Sequence, residues 1–321
     1  GVRSGLSLMT LVDAPLYTDH GTGPLPGAAF WLTTSDGVRI RIGVWGRDAD
    51  KGTVLLFCGR TEYVEKYAVV ACDFAMRGYA TVVIDWRGQG LADRLLDDPR
   101  LGHVGRFEDY QLDVAAVLAA CDEMTLPRPL YLLGHSMGGS IGLRAIYDGL
   151  PVAAAAFTGP MWGIEMSNTL RATAWGLGRV MPKVGLGTKL CPGTTIDHYV
   201  LTAPFEDNTL TRHRPSWDVM QAQLKAHPEL ALGGPTVLWL HLALLDTAAL
   251  ARMPAPKLPC ITFLGDNERI VDPTRIHARM AGWDTGTLEI LDDTEHEVLM
   301  DEDATRGRII DRMVDTFEAA A

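Results

Sequence analysis

The sequence predicts an α/β fold: a mostly parallel, doubly wound sheet interrupted by a helical and irregular cap insertion. Three observations carry this. Short apolar runs of strand length, TVLLFCGR (53–60), YATVVIDWRGQG (79–90), PLYLLG (129–134) and VAAAAFTGP (152–160), alternate with stretches of helical spacing. Each run is apolar along nearly its whole length, as a strand covered on both faces must be. The alternation breaks near residue 160 and resumes at LPCITFLGD (258–266). The expected layout is therefore a core over 1–159 and 241–321, with a cap over 160–240.

The individual elements follow in order. Residues 29–46 read as two short strands joined by a Ser-Asp-Gly turn. EKYAVVACDFAMRGY has helical spacing and a stop at Gly78, and FEDYQLDVAAVLAACDEM (107–124) predicts a long amphipathic helix. GGSIGLRAIYDGL predicts a helix directly after the run ending at Gly134. Residues 161–235 mix Pro, Gly, Trp and Met irregularly, with SWDVMQAQLKAH (216–227) as a short helical stretch. Beyond 266, a helix near 273–282, a strand at TLEILDD (287–293) and a closing helix from 303 complete the pattern. No repeat or low-complexity segment interrupts it.

Bulk properties exclude several classes of function. A net charge of −11 in 321 residues argues against nucleic-acid binding, which needs a basic face. The five cysteines, at 58, 72, 121, 191 and 260, are scattered and form no CxxC pair, so reduced thiols are expected rather than a disulfide framework or zinc site. No apolar run approaches membrane-spanning length. The initial GVRSGLSLMTLVD lacks the apolar core of a secretory leader. A cytoplasmic protein is expected. Nothing in the sequence speaks to its oligomeric state.

The stretch LLGHSMGGSIGL (132–143) sets Ser136 between Gly134 and Gly138, with Gly139 and Gly142 following. Glycines there let backbone pass close to backbone and permit positive φ. Strand, sharp turn and helix with a serine at the apex is the context of a nucleophile elbow. A serine hydroxyl is a weak nucleophile at neutral pH, so it needs a general base and an acid to orient that base. In an open α/β sheet, reactive groups gather beyond the carboxyl ends of strands. Asp266 follows the apolar run CITFLG, and His296 follows the next strand. The order Ser136, Asp266, His296 fits a nucleophile, acid and base. Glu268 and Asp272 lie near enough to compete with Asp266, although Asp272 before Pro273 suits a helix N-cap. The oxyanion would be held by two backbone N–H groups, from Met137 and from Arg60 in the loop after the first buried strand.

At this point the chain resembles α/β-hydrolases of the monoacylglycerol lipase and bacterial lysophospholipase type. The resemblance rests on GHSMGG, CGRTEYVEKYA, IDWRGQGLADRLLDDPRLGHVGRFEDY, FTGPMWGI, GGPT and NERIVD, and runs from about residue 50 to the C-terminus. It implies Ser136 as nucleophile, Asp266 as acid, His296 as base, and the Arg60 and Met137 N–H groups as the oxyanion hole. It also implies a serine carboxylic-ester hydrolase acting through an acyl-enzyme on a lipid or other small ester, with no metal or organic cofactor. Cys58 departs from the His-Gly pair of many relatives, at a position without a catalytic role in this mechanism.

The insertion is rich in apolar side chains, most of which are expected to be packing. Met161, Trp162, Phe205 and Trp217 are the expected pocket wall. Residues 160–235 hold seven Lys/Arg against six Asp/Glu, whereas the rest of the chain is acidic. Arg212 and Arg214 in the RHR triplet are therefore candidates for a peripheral contact with the inner membrane or for a phosphate head group, against a solvated loop as the plainer reading. Three alternatives remain open: a short-chain carboxylesterase, a serine aminopeptidase using Glu165 or Glu206 to anchor an amine, and a non-catalytic ligand-binding homologue.

Overall fold

The computed structural model describes residues 11–321; most of the stretch read above for a leader lies outside them. Among these residues nine strands form one sheet: β1 (Val12–Asp13), β2 (Ala28–Thr33), β3 (Arg39–Trp45), β4 (Gly52–Phe57), β5 (Tyr79–Asp85), β6 (Leu130–His135), β7 (Val152–Thr158), β8 (Cys260–Gly265) and β9 (Gly286–Leu291). Their spatial order is β1-β2-β3-β5-β4-β6-β7-β8-β9. The first four in that order pair antiparallel, and every pair from β5 to β9 is parallel. All residues of β4, β5, β6 and β8 are buried, which accounts for their unbroken apolar runs.

Among the described residues nine α-helices accompany the sheet: α1 (Ala68–Ala75), α2 (Tyr110–Glu123), α3 (Met137–Tyr147), α4 (Asn168–Val180), α5 (Tyr199–Thr202), α6 (Arg214–Ala226), α7 (Val237–Ala251), α8 (Pro273–Ala281) and α9 (Asp303–Ala320). The helix expected from residue 65 begins as a 3₁₀ turn at Val64–Tyr67 before α1. The core of the sheet is sealed by aromatic side chains, with Phe157, Trp162 and Trp283 in mutual contact near β7.

Between β7 and β8 the chain forms helices and loops and adds no strand to the sheet. Val200, Trp217, Met220, Leu224 and Leu230 make an apolar cluster of their own there, with Tyr63 as the contribution from the β4 side. The sequence reading assigned no element to 237–251, yet α7 occupies it, with the Thr236 hydroxyl capping it on the Trp239 N–H. VLWLHLALLDTAALA is apolar on most sides, so no polar stripe marks it as a helix.

One close approach positions the serine turn. A Cβ placed on Gly138 would lie 1.9 Å from the Phe57 carbonyl oxygen, so the start of α3 runs directly against the end of β4. Gly138→Ala is expected to destabilise the protein by about 3 kcal/mol, because backbone on both sides cannot yield. Urea unfolding checks this, with a midpoint close to wild type counting against it.

Candidate active site

Ser136 sits at φ 52° and ψ −121°, in the positive-φ region that a non-glycine residue occupies only under constraint. The constraint is visible. The Ser136 N–H donates to the Thr158 carbonyl (3.2 Å), and the Ser136 carbonyl accepts from the Gly139 and Met161 N–H groups (2.8 Å each). Strand, turn and helix are therefore as expected, with the hydroxyl facing a cavity.

His296 faces the same cavity, but its acid partner is not the expected one. Its Nδ1 lies 2.6 Å from Glu268 Oε1, and both side chains are buried. Asp266 is exposed and accepts from the Thr294 N–H (3.2 Å). The reason is a turn at the end of β8. Gly265 is pressed against the backbone of Thr294 and Glu295, and the Glu268 N–H donates back to the Gly265 carbonyl (3.3 Å). That turn leaves Asp266 outside and carries Glu268 inward. There its Oε2 accepts from the Ile270 N–H (2.9 Å) and, more weakly, the Val271 N–H (3.4 Å). Asp272 caps α8, as its place before Pro273 implied. Gly159 (φ +46°) makes room for the pair: a Cβ there would fall 3.0 Å from Glu268 Oε1 and 3.1 Å from His296 Nδ1.

Burial disfavours the charged forms of both partners, yet mutual attraction wins. The His296 pKa is held above its ordinary value and the Glu268 carboxyl below its own. His135 packs beside His296, with ring centroids 4.8 Å apart. Burial pulls its pKa down to about 4, and its Nδ1 is engaged by Thr158. It is thus a neutral neighbour rather than a second base.

The loop after β4 passes over the serine, since a Cβ on Gly59 would lie 3.0 Å from Ser136 Cβ. Trp86 Nε1 holds the Cys58 carbonyl (2.9 Å), and Gln89 Nε2 holds those of Gly59 (2.8 Å) and Glu62 (3.1 Å). The Gly59 N–H donates to Glu62 Oε1 (2.5 Å). The Arg60 N–H has no acceptor among the described residues, and the Met137 N–H, first in α3, has none within its helix.

Beneath this loop lies a charge cluster that the sequence reading missed. The Lys66 ammonium bridges Glu62 (2.7 Å) and Glu297, with all three side chains nearly buried. Lys66 and the loop bonds together outweigh burial and pull the Glu62 carboxyl down to about 2, whereas burial raises that of Glu297. Glu62, His135 and Glu297 bring potential metal ligands within 4.8 Å of one another, but the ammonium between the two carboxylates takes the place a cation would occupy. The bridge joins the oxyanion-side loop to the residue after His296. The cap grips the same segment, since Thr209 and Leu210 carbonyls accept from the His296 (3.3 Å) and Glu297 (2.9 Å) N–H groups.

The cavity above Ser136 has a volume of about 480 Å³ and largely apolar walls, including Met161, Ile164, Leu224, Leu232 and Trp239. Of the expected pocket residues, Met161 lines it. Trp162 instead points into the core and donates to the Gly139 carbonyl (3.1 Å). Trp217 fills the cap's own cluster, with Phe205 packed against it, because the cap needs a core to hold its helices together. The RHR triplet is also committed elsewhere: Arg212 pairs with Asp293 and Glu295 (3.2 Å each), and Arg214 with Asp218 (3.3 Å).

The family model described as serine aminopeptidase, S33 matches residues 48–303. The chain belongs to this family. It is 32% identical over 277 residues to lysophospholipase L2 of Escherichia coli K12, an alignment covering 82% of this chain and 80% of the relative. It is 36% identical to the monoacylglycerol lipase of Mycolicibacterium smegmatis over 154 residues, 46% of this chain and 52% of that one. Among solved structures, a soluble variant of the Saccharomyces cerevisiae monoglyceride lipase in complex with a substrate analogue superposes with a TM-score of 0.70 at 18% identity, covering 96% of this chain and 98% of that one. A thermostable Bacillus coagulans carboxyl esterase gives 0.72 at 12% identity, covering 92% and 100%. These similarities show the α/β-hydrolase fold, in agreement with the nine-stranded sheet.

For this serine hydrolase, Glu268→Gln is expected to reduce kcat on p-nitrophenyl butyrate by about 10³- to 10⁴-fold, and Asp266→Asn to stay within about threefold of wild type. Equal losses in the two variants would contradict the geometry. The wild-type acid limb should have its midpoint above 6.5, the ordinary value for histidine, because the imidazolium must lose its proton to act as base. In Glu268→Gln that midpoint should fall, since a neutral amide no longer favours the imidazolium.

Proposed function

We propose that the protein is a serine ester hydrolase acting on single-chain acyl lipids, of the lysophospholipase or monoacylglycerol lipase type. The observation that carries this reading is the meeting of Ser136 and the buried His296–Glu268 pair at the wall of one apolar cavity. His296 takes the Ser136 proton as Oγ attacks the ester carbonyl. The Met137 and Arg60 N–H groups hold the oxyanion, and the protonated His296 releases the alcohol. Water activated by His296 then frees the fatty acid. Glu268 stays ionised throughout and orients the imidazole, which the two backbone N–H donors to its second oxygen support.

The family description raises aminopeptidase chemistry as a second reading. It requires a free carboxylate for the substrate amine. Glu165 and Glu206 are exposed and absent from the cavity wall, Glu62 and Glu297 are bound to Lys66, and Asp197, the remaining carboxylate of the wall, is exposed, so no buried carboxylate of the wall is free. This distribution favours esters. A non-catalytic binder would have no use for the strained serine and its paired base.

The cap carries a surface suited to an anionic lipid interface, at a different place from the RHR triplet. Between 166 and 196 there are four basic residues, Arg171, Arg179, Lys183 and Lys189, and no acidic one. The same segment exposes Leu170, Val180, Val184 and Leu186, while Met166 and Cys191 at its two ends line the cavity. Apolar contact and charge attraction would act together there. No helix among the described residues is long and apolar enough to cross a membrane.

Ser136→Ala should lower hydrolysis of palmitoyl lysophospholipid and monoacylglycerol by at least about 10⁴-fold. Wild type should prefer p-nitrophenyl esters of long over acetyl chains; activity confined to acetyl and butyryl esters would overturn the lipid assignment. Arg179→Glu combined with Lys183→Glu should weaken sedimentation with anionic vesicles by about tenfold or more at low salt. Unchanged sedimentation would remove the interfacial role.

A further inference from the structure

Arg60 combines two properties that the reaction as derived uses only in part. Its backbone N–H follows Gly59 over Ser136, and its side chain lines the cavity. The guanidinium donates through one nitrogen to the Gly233 carbonyl (2.7 Å) and lies 5.6 Å from the centroid of the Trp239 ring. It forms no ion pair with a carboxylate among the described residues. The two buried arginines behave differently from this half-buried one: Arg41 is held by Glu65 (2.6 Å) and Asp85 (2.7 Å), and Arg87 by Asp36 and Asp113 (2.8 Å each).

The acidic groups nearest the cavity do not answer Arg60. Glu62 and Glu297 are engaged by Lys66, and Asp197, exposed in the cavity wall, accepts a long hydrogen bond from the Thr195 hydroxyl (3.5 Å) and forms no ion pair with Arg60. The neighbouring His198 is kept neutral by burial, with its pKa down at about 4. Burial also lowers the Arg60 pKa, to about 10, which leaves it charged at neutral pH. An unneutralised guanidinium at an apolar cavity is unfavourable until an anion reaches it. Its fork of N–H donors matches two oxygens of a phosphate.

We propose that the Arg60 side chain binds the head-group phosphate of a lysophospholipid while its own backbone N–H faces the ester oxyanion, so that this residue favours phosphate-bearing substrates over neutral monoacylglycerols. The inference rests on the acyl-lipid reading above and narrows its substrate class. Glycerol separates ester from phosphate by a span comparable to the arginine side chain, which separates the N–H from the guanidinium. One residue can therefore meet both ends of the polar part of the substrate, leaving the acyl chain to the apolar walls.

The test compares kcat/KM for palmitoyl lysophosphatidylethanolamine with that for 1-palmitoylglycerol in wild type, Arg60→Lys and Arg60→Met. The lysophospholipid-to-monoacylglycerol ratio should fall by about 10- to 100-fold in the methionine variant, whatever the absolute rates, with lysine between. sn-Glycerol 3-phosphate should compete with substrate in wild type and not in Arg60→Met. An unchanged ratio, with both substrates slowed alike, would overturn the proposal and make the Gly233 tether a loop anchor. Wild-type cleavage of monoacylglycerol without lysophospholipid would overturn it while leaving the acyl-lipid reading intact. Cleavage of neither lipid would overturn both.

Discussion

The contact between Gly138 and the Phe57 carbonyl is the constraint on which the reactive geometry depends. It exists because β4 and β6 are adjacent and parallel, so the end of one strand lies beside the turn that leaves the other. With no Cβ at Gly138, α3 can start immediately, Ser136 is forced to positive φ, and its hydroxyl is lifted out of the sheet. The oxyanion-side loop follows from the same adjacency, since it is the continuation of β4. The placement of Ser136 and that of the loop over it are thus two consequences of one strand pairing.

The remaining machinery is assembled by electrostatics in a buried setting. Glu268 and His296 stabilise one another against desolvation, and each is further fixed by backbone: Ile270 and Val271 for the acid, Thr209 for the base. Lys66 does the corresponding work for the loops, with one carboxylate on either side. Removing one member of such a bridge leaves an unpaired buried charge, typically costing about 3–5 kcal/mol. The loop that carries Arg60 and the loop that carries His296 are therefore coupled, and a change at Lys66 would be felt at both.

The cap divides its apolar residues between two tasks. Trp217 belongs to the small core that holds α5 and α6 together, Met220 and Leu224 serve both that core and the cavity, and Met161, Met166 and Leu240 give their surfaces to the cavity. Arg60 meets the cap from the other side, tying the β4 loop to Gly233. This arrangement gives the cavity a polar end at the serine and an apolar remainder, which is the division a single-chain amphiphile has.

The sequence by itself determined the sheet, because strands buried on both faces are long apolar runs and glycines mark their turns. It also singled out Ser136 and His296, which line one cavity: a serine in a glycine-rich turn between strand and helix, and a histidine just past a strand end, are local signals. Only the tertiary structure decided between Asp266 and Glu268. The choice turns on a backbone reversal after β8, set by the packing of Gly265 against a loop 30 residues away, and no local pattern encodes it. Trp162, Trp217 and Phe205 were misassigned for the same reason, since an apolar side chain looks alike in sequence whether it faces a core or a cavity. The Glu62–Lys66–Glu297 bridge and the unpaired Arg60 were equally hidden, because the partner of a charge, or its lack of one, is defined by residues distant in the chain and adjacent only after folding.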